Sequence, residues 1–200
     1  KIIFNGEIYN HLDLRDLIYK KFRFNSWKSL SDTETLVNLF EFMSFKEGLQ
    51  LIEGMFAIAL IDTKKNIIFF SRDPMGEKPL YISFNDRSLL FGSDLSALKK
   101  FSSFNKDISL DSLGMYFKHN YISAPYSIYK GTFKCIPGKY ISIDLNIAKV
   151  NFIPNKFEEI IDINGINIEE YWSSNELINS RSYKSSDFYE SSKRLESLLT

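Results

Sequence analysis

The apolar run GMFAIALID (residues 54–62) passes through TKKN (63–66) into a second, NIIFFSRD (66–73). Strand-length runs with so short a connection signal a hairpin, since a parallel crossover needs a dozen or more residues. PLYISF (79–84) and SLLFGS (88–93), joined by NDR (85–87), repeat the pattern, and KIIF (1–4) opens the chain as a short strand. KYISID (139–144) and KVNFI (149–153) are expected to form a last hairpin. Helical spacing flanks this block. It runs through NHLDLRDLIYKK (10–21), DLSALKKF (94–101) and SLDSLGMYFKHN (109–120), the last with Ser109 as its cap. It is clearest in SDTETLVNLFEFM (31–43), where Leu36, Leu39, Phe40 and Met43 share a face and Ser31 with Glu34 make a capping-box pattern. Strands gathered in the middle with helices around them predict a layered α+β fold rather than alternating βαβ units.

Residues 154–186 are polar and irregular and are expected to be a linker, after a domain spanning 1–153. From Ser186 onward SDFYESSKRLESLLT has Phe188, Leu195 and Leu199 on one side, so 187–200 is expected to open a further domain. The chain starts at Lys1 inside a strand and ends inside a helix without a stop signal, which predicts a piece cut from a longer protein at both ends.

Composition narrows the function classes. The 25 basic and 25 acidic residues cancel, with no long basic run, so nucleic acid is not an expected partner. No apolar run approaches the ~18–20 residues that span a bilayer, and no signal peptide is visible, so neither is a membrane. A single cysteine, Cys135, permits no intrachain disulfide and fits a reducing, cytoplasmic setting. His11 and His119 stand far apart with no cysteine beside them, so no metal site is expected.

The stretch Asn5-Gly6-Glu7 has two readings. Asn-Gly is the preferred pair for a type I′ hairpin turn. Alternatively, an Asn carboxamide and an amide beside a residue without Cβ are two donors suited to a developing oxyanion. The segment that follows has helical rather than strand spacing, which weighs against the turn. Asp32 sits where it would favour the N-terminus of a helix. RDPMGEKPLY (72–81) has turn chemistry throughout, with Asp73-Pro74 to start, Gly76 for positive φ and Pro79 to end. Arg72 is expected to pair with a carboxylate, and Cys135 to be a small buried residue. His11 suits a surface or capping position, and His119 the C-terminal end of a helix.

Three stretches in this order, FNGEIYNHLDLR (4–15), SDTETL (31–36) with GMFAIALID, and RDPMGEKPLY with LLFGSDLSALKKF (89–101), resemble the glutaminase domain of glutamine-hydrolysing asparagine synthetases. That domain is a class II, N-terminal-nucleophile glutamine amidotransferase. YISAPYSIYKGTFKCIPGKYISID (121–144) is similar to the end of the same domain. The resemblance implies a four-layer αββα sandwich, incomplete at its N-terminus. It also implies L-glutamine as substrate, and ammonia passed to a C-terminal synthetase domain that uses ATP and magnesium to amidate aspartate. On the matching positions, Asn5 and Gly6 would form the oxyanion hole. Asn5, Gly6, Glu7 and Asp32 would bind glutamine, Glu7 partly through its backbone. A homodimer is one assembly open to the parent.

The sequence departs from the family in four ways. It shows no N-terminal cysteine nucleophile, no HRGPD-like stretch with its arginine and no SGGxDS nucleotide loop, and it has Asp94 where the family has Glu. The chain alone is therefore expected to be inactive. The alternatives are another class II amidotransferase, an acceptor such as a surface-polysaccharide-linked carboxylate, or a degenerate interaction module.

Overall fold

The hairpin forms where the connection length requires it, and one sheet grows from both of its edges. In the computed structural model, which describes residues 1–85, 88–149, 152–180 and 188–199, β2 (Gly54–Asp62) pairs antiparallel with β3 (Ile67–Arg72). On the far side of β2 lies β1 (Ile2–Ile8). On the far side of β3 lies β7 (Lys139–Asp144), followed by β8 (Ile166–Glu170), so the sheet order is β1-β2-β3-β7-β8. A second antiparallel sheet has the order β5-β4-β6, from β4 (Tyr81–Asn85), β5 (Ser88–Gly92) and β6 (Thr132–Lys134).

Alternation along β2 shows how the layers are held. Phe56 and Ile58 point to one face, against Leu36 and Leu39 of α2 (Asp32–Phe42), Ile18 of α1 (His11–Phe22) and Leu49 of α3 (Phe45–Leu51). Ala57 and Ala59 point to the other face, where Phe70 and Ile141 meet Ile82, Phe84 and Phe133 of the second sheet. A strand covered on both faces is a near-continuous apolar run, as GMFAIALID is. Leu36 and Leu39 are fully buried. Truncating either to Ala is worth about 2–5 kcal/mol. Against β5 of the second sheet packs α4 (Leu95–Leu98), and α5 (Leu110–His119), largely exposed, follows in the chain. Leu98 of α4 covers Gly92, 3.4 Å from where a Cβ would stand. The layers thus follow the order α, β, β, α of the expected α+β sandwich. Among the described residues no helix is long and apolar enough to cross a membrane.

Several local expectations need correction. The segment expected as a linker contains α6 (Glu158–Ile161) and β8. Phe157, Ile160 and Ile166 enter the core between the sheets, and Tyr171 enters the core under the helices. Its short strand carries only alternate apolar residues, so a polar run hid a sheet edge. Residues 181–187 lie outside the described residues; α7 (Ser174–Ser180) precedes them and α8 (Phe188–Leu199) follows, with no buried residue. The expected partner of β7 at 149–153 falls partly outside the described residues; β7 pairs instead with β3 and β8. Ser31 caps α2 through the Thr33 amide, but Glu34 turns to the preceding loop, so no reciprocal box forms there. The box forms at Ser44 and Glu47, at the start of α3.

Candidate active site

Asn5-Gly6 is not a turn. Both residues lie inside β1, in unbroken register with β2, with Asn5 opposite Ala57 and Gly6 opposite Phe56. The glycine has a steric reason to be there. Gly6 has φ +155°, and a Cβ on it would stand 2.1 Å from the Met55 carbonyl oxygen. Gly54 on the facing strand has φ +153°, and its Cβ would stand 2.2 Å from the Glu7 carbonyl oxygen. The two strands approach closely at this point, and glycine within a strand marks such an approach.

Pairing then determines which groups remain available. Lys1 and Ile61 exchange both main-chain hydrogen bonds, at 2.8 and 2.7 Å, and Tyr9 N–H donates to Glu53 at 2.8 Å. In an antiparallel pair every second residue turns its N–H and C=O to the partner. Odd-numbered residues of β1 are therefore committed to β2, and the N–H groups of Gly6 and Ile8 face the other edge. Among the described residues no strand pairs along that edge. The Glu7 carbonyl faces Gly54 across the pair. The Glu7 side chain is exposed, two residues from Asn5 on the same face.

Asp32 comes to this edge from the other side. As the first residue of α2 its carboxylate reaches the strand, and the Ile8 N–H donates to Asp32 Oδ2 at 3.2 Å. Thr33 Oγ1 donates to Oδ1 at 3.3 Å. A carboxylate has about four acceptor positions, so capacity remains for a ligand. The loop before α2 is itself fixed. Arg15, buried under Trp27, donates to the carbonyls of Ser29 and Ser31, each at 2.8 Å. Glu34 accepts from the amides of Lys28 and Ser29 and the Ser29 hydroxyl, which together hold its carboxyl below the ordinary range.

The structure thus gathers Asn5, Gly6, Glu7 and Asp32 at one sheet edge although 24 residues separate Ile8 from Asp32. It adds Ser93, which lies within the matched stretch LLFGSDLSALKKF but was given no role there. Asn5 Nδ2 donates to Ser93 Oγ at 3.1 Å, across 88 residues and from one sheet to the other.

The other candidates fall away from this edge. Arg72 is buried and forms no ion pair among the described residues, contrary to expectation. It donates to the Cys135 carbonyl at 3.4 Å and to the Gly76 carbonyl. The chain turns away at Pro74, so a main-chain acceptor for Phe56 is lost and the Asp73 carboxylate stands in. It accepts from the amides of Phe56, Glu77 and Lys78 at 3.4, 2.8 and 3.0 Å. Cys135 lies fully buried between the sheets, its thiol on the Phe70 carbonyl and pushed up to about 12 by burial. A thiol so hard to ionise is a poor nucleophile. His11 starts α1 with its Nδ1 buried and unpartnered, and His119 ends α5 on the surface.

Known proteins are similar to this chain in sequence and in fold. The family described as a glutamine amidotransferase domain matches residues 1–153. A putative glutamine-hydrolysing asparagine synthetase of Methanocaldococcus jannaschii is 35% identical over 151 residues, covering 74% of this chain and 28% of that protein. Asparagine synthetase 1 of Bacillus subtilis is 30% identical over 167 residues, covering 79% and 26%. The chain therefore spans less than a third of the length of these relatives. The solved glutamine phosphoribosylpyrophosphate amidotransferase of B. subtilis superposes with a TM-score of 0.52 over 86% of this chain and 29% of that one, at 17% identity, a likeness of fold alone. By the span of the match and the identity to these relatives, the chain belongs to the glutamine amidotransferase domain family.

Proposed function

We propose that this chain is the glutaminase part of a glutamine-hydrolysing asparagine synthetase, releasing ammonia from L-glutamine for the ATP-dependent amidation of aspartate elsewhere in the full-length protein. One observation carries the reading: the Asp32 carboxylate is anchored on the Ile8 N–H, two residues along the same edge from the Gly6 N–H. Acidic groups that suit the ammonium of free glutamine thereby adjoin donors that suit the oxygen of its carboxamide. The names of the relatives support asparagine as the product.

The chemistry follows from those groups. A nucleophile adds to the carboxamide carbon, and the carbonyl electron pair moves onto oxygen. Asn5 Nδ2–H and Gly6 N–H donate to that oxygen as charge gathers there. Glu7 and Asp32 hold the substrate ammonium, fixing which carbon is presented. Collapse of the adduct expels the protonated nitrogen as ammonia, and water hydrolyses the acyl group to glutamate. The buried Cys135 is unsuited to the attack, and we assign the nucleophile to an N-terminal cysteine outside these 200 residues. Among the described residues no group of three or more His, Cys, Asp or Glu stands where it could hold a metal ion. ATP and magnesium belong, in this reading, to a synthetase domain in which α8 is the first helix, and the reaction runs in the cytoplasm.

The test uses the full-length protein, with glutamate release from L-glutamine and asparagine formation from ammonia measured side by side. Asn5→Ala is expected to cut glutamine hydrolysis by about 10²–10³-fold, the usual cost of one oxyanion donor. Ammonia-supported asparagine formation should persist. A wild-type protein that hydrolyses no glutamine would point to a non-catalytic module. One that does so without forming asparagine would point to a different acceptor.

A further inference from the structure

We infer that Ser93 is a positioning residue for the oxyanion donor Asn5; the inference rests on the role given to Asn5 above. Among the described residues the Asn5 carboxamide has one hydrogen-bond partner, the Ser93 hydroxyl, which accepts from Nδ2 at 3.1 Å. A carboxamide on an exposed strand residue turns freely about its last bond, and its two ends are of opposite polarity. With Nδ2 towards the substrate, its second hydrogen meets the developing oxyanion. Turned over, Oδ1 is presented, and two oxygens face each other. With one hydrogen of Nδ2 on Ser93, the carboxamide is held in place with its second hydrogen free for the oxyanion, and this placement precedes the reaction.

Ser93 can do this because it is itself held on both sides. It directly follows β5, the edge strand of the second sheet. It directly precedes Asp94, which caps α4. The Ser96 amide donates to Asp94 Oδ1 at 2.9 Å, and the Ser96 hydroxyl donates to Oδ2. Leu98, one turn on, is buried against Gly92, just before Ser93. Strand, cap and helix leave the serine little room to move, and its hydroxyl bridges the two sheets at the mouth of the site. The departure at Asp94 then has a function of its own, since a capping side chain is most effective when short.

The experiment is a double-mutant cycle in the full-length protein, read by glutaminase kcat and KM. Ser93→Ala is expected to lower kcat about five- to ten-fold, the weight of one neutral hydrogen bond, with KM for glutamine changed less than about two-fold. Ser93→Thr, which keeps the hydroxyl, should restore most of the rate. Ser93→Ala added to Asn5→Ala should cost nothing further, because a positioning residue has no effect once its target is gone. A purely structural serine would lower the rate in both backgrounds equally, and that additivity overturns the inference, as does an unchanged kcat in Ser93→Ala. Thermal melting of each variant shows that the comparison is among folded proteins. If Asn5→Ala itself leaves glutaminase activity intact, the oxyanion reading fails first, and the role of Ser93 with it.

Discussion

The stretches Asn5–Glu7 and Arg72–Lys78 both contain a glycine at a special φ, one within β1 and the other leaving β3 of the same sheet, yet they treat their polar groups in opposite ways. At Arg72–Lys78 the buried groups are consumed internally, with Arg72 Nε the exception. The Asp73 carboxylate takes three main-chain amides, the Arg72 guanidinium takes two carbonyls, and the Arg72 carbonyl accepts from the buried Tyr171 hydroxyl at 2.6 Å. At Asn5–Glu7 the side chains are exposed, and the Gly6 N–H faces an edge. A motif that turns most of its polar groups inward onto the fold is scaffold, while one that keeps unused donors and acceptors at an exposed edge is where a ligand can add its own bonds. Both motifs are equally conspicuous as sequence. Only the partners distinguish them.

Gly6→Ala offers the sharpest way to break the comparison. The added Cβ meets main-chain atoms of Met55 and Phe56, which cannot swing aside as a side chain could, and the backbone sits at φ +155°. The loss of folding stability is expected to exceed about 4 kcal/mol, in the range reserved for steric and backbone faults. Urea unfolding of the domain measures it. A stable Gly6→Ala protein would mean that the strands do not approach so closely, and the glycine would then serve the ligand alone. Asp73→Ala comes next. It leaves the buried Phe56 amide and two loop amides without their acceptor, and about 2–3 kcal/mol should be lost, since the loop amides can turn to water. If the cost is near zero, the loop is not scaffold and the contrast with the β1 edge fails.

How much of this was legible beforehand depends on the range of the interaction concerned. The β2–β3 hairpin and α2 were readable because period and connection length are local signals. The placement of Asn5-Gly6 was not, because its meaning lies in the main chain of Met55 and Phe56 across the strand pair, 49 and 50 residues from Gly6. Of the S-x-x-E patterns at Ser31–Glu34 and Ser44–Glu47, only the second closes as a box. At the first, the amides of Lys28 and Ser29 compete for the same carboxylate and win. Residues 157–171 looked like a linker because β8 is short and half polar, although Phe157, Ile160, Ile166 and Tyr171 were there to suggest otherwise. The family resemblance led to Asn5, Gly6, Glu7 and Asp32. Ser93 lay inside the matched stretch LLFGSDLSALKKF without a role, since a serine before a capped helix is common and its partner lies on another sheet.

The mildest test separates the two regions by acid. Glu34 secures the loop that leads into Asp32, and the Lys28 amide, then the Ser29 hydroxyl and amide, hold its carboxyl below the ordinary range. A carboxyl with a lower pKa folded than unfolded contributes its stabilisation in full above the unfolded value. The contribution declines as the pH falls between the two values and is gone below the folded one. With an unperturbed glutamate near 4.3, lowering the pH from about 6 to about 3 should loosen residues 28–31. Once exchange is corrected for its intrinsic pH dependence, the Ser29 amide should lose protection over that range. Glu34→Gln, which has no proton to gain, should remove the pH dependence while lowering protection throughout. The hydrogen bond from Tyr171 to Arg72 contains no group that titrates in acid, so it should survive the same change. Equal protection of Ser29 at both pH values would mean that Arg15, through its bonds to the Ser29 and Ser31 carbonyls, holds the loop without Glu34. The placement of Asp32 would then be as insensitive to acid as the end of β3.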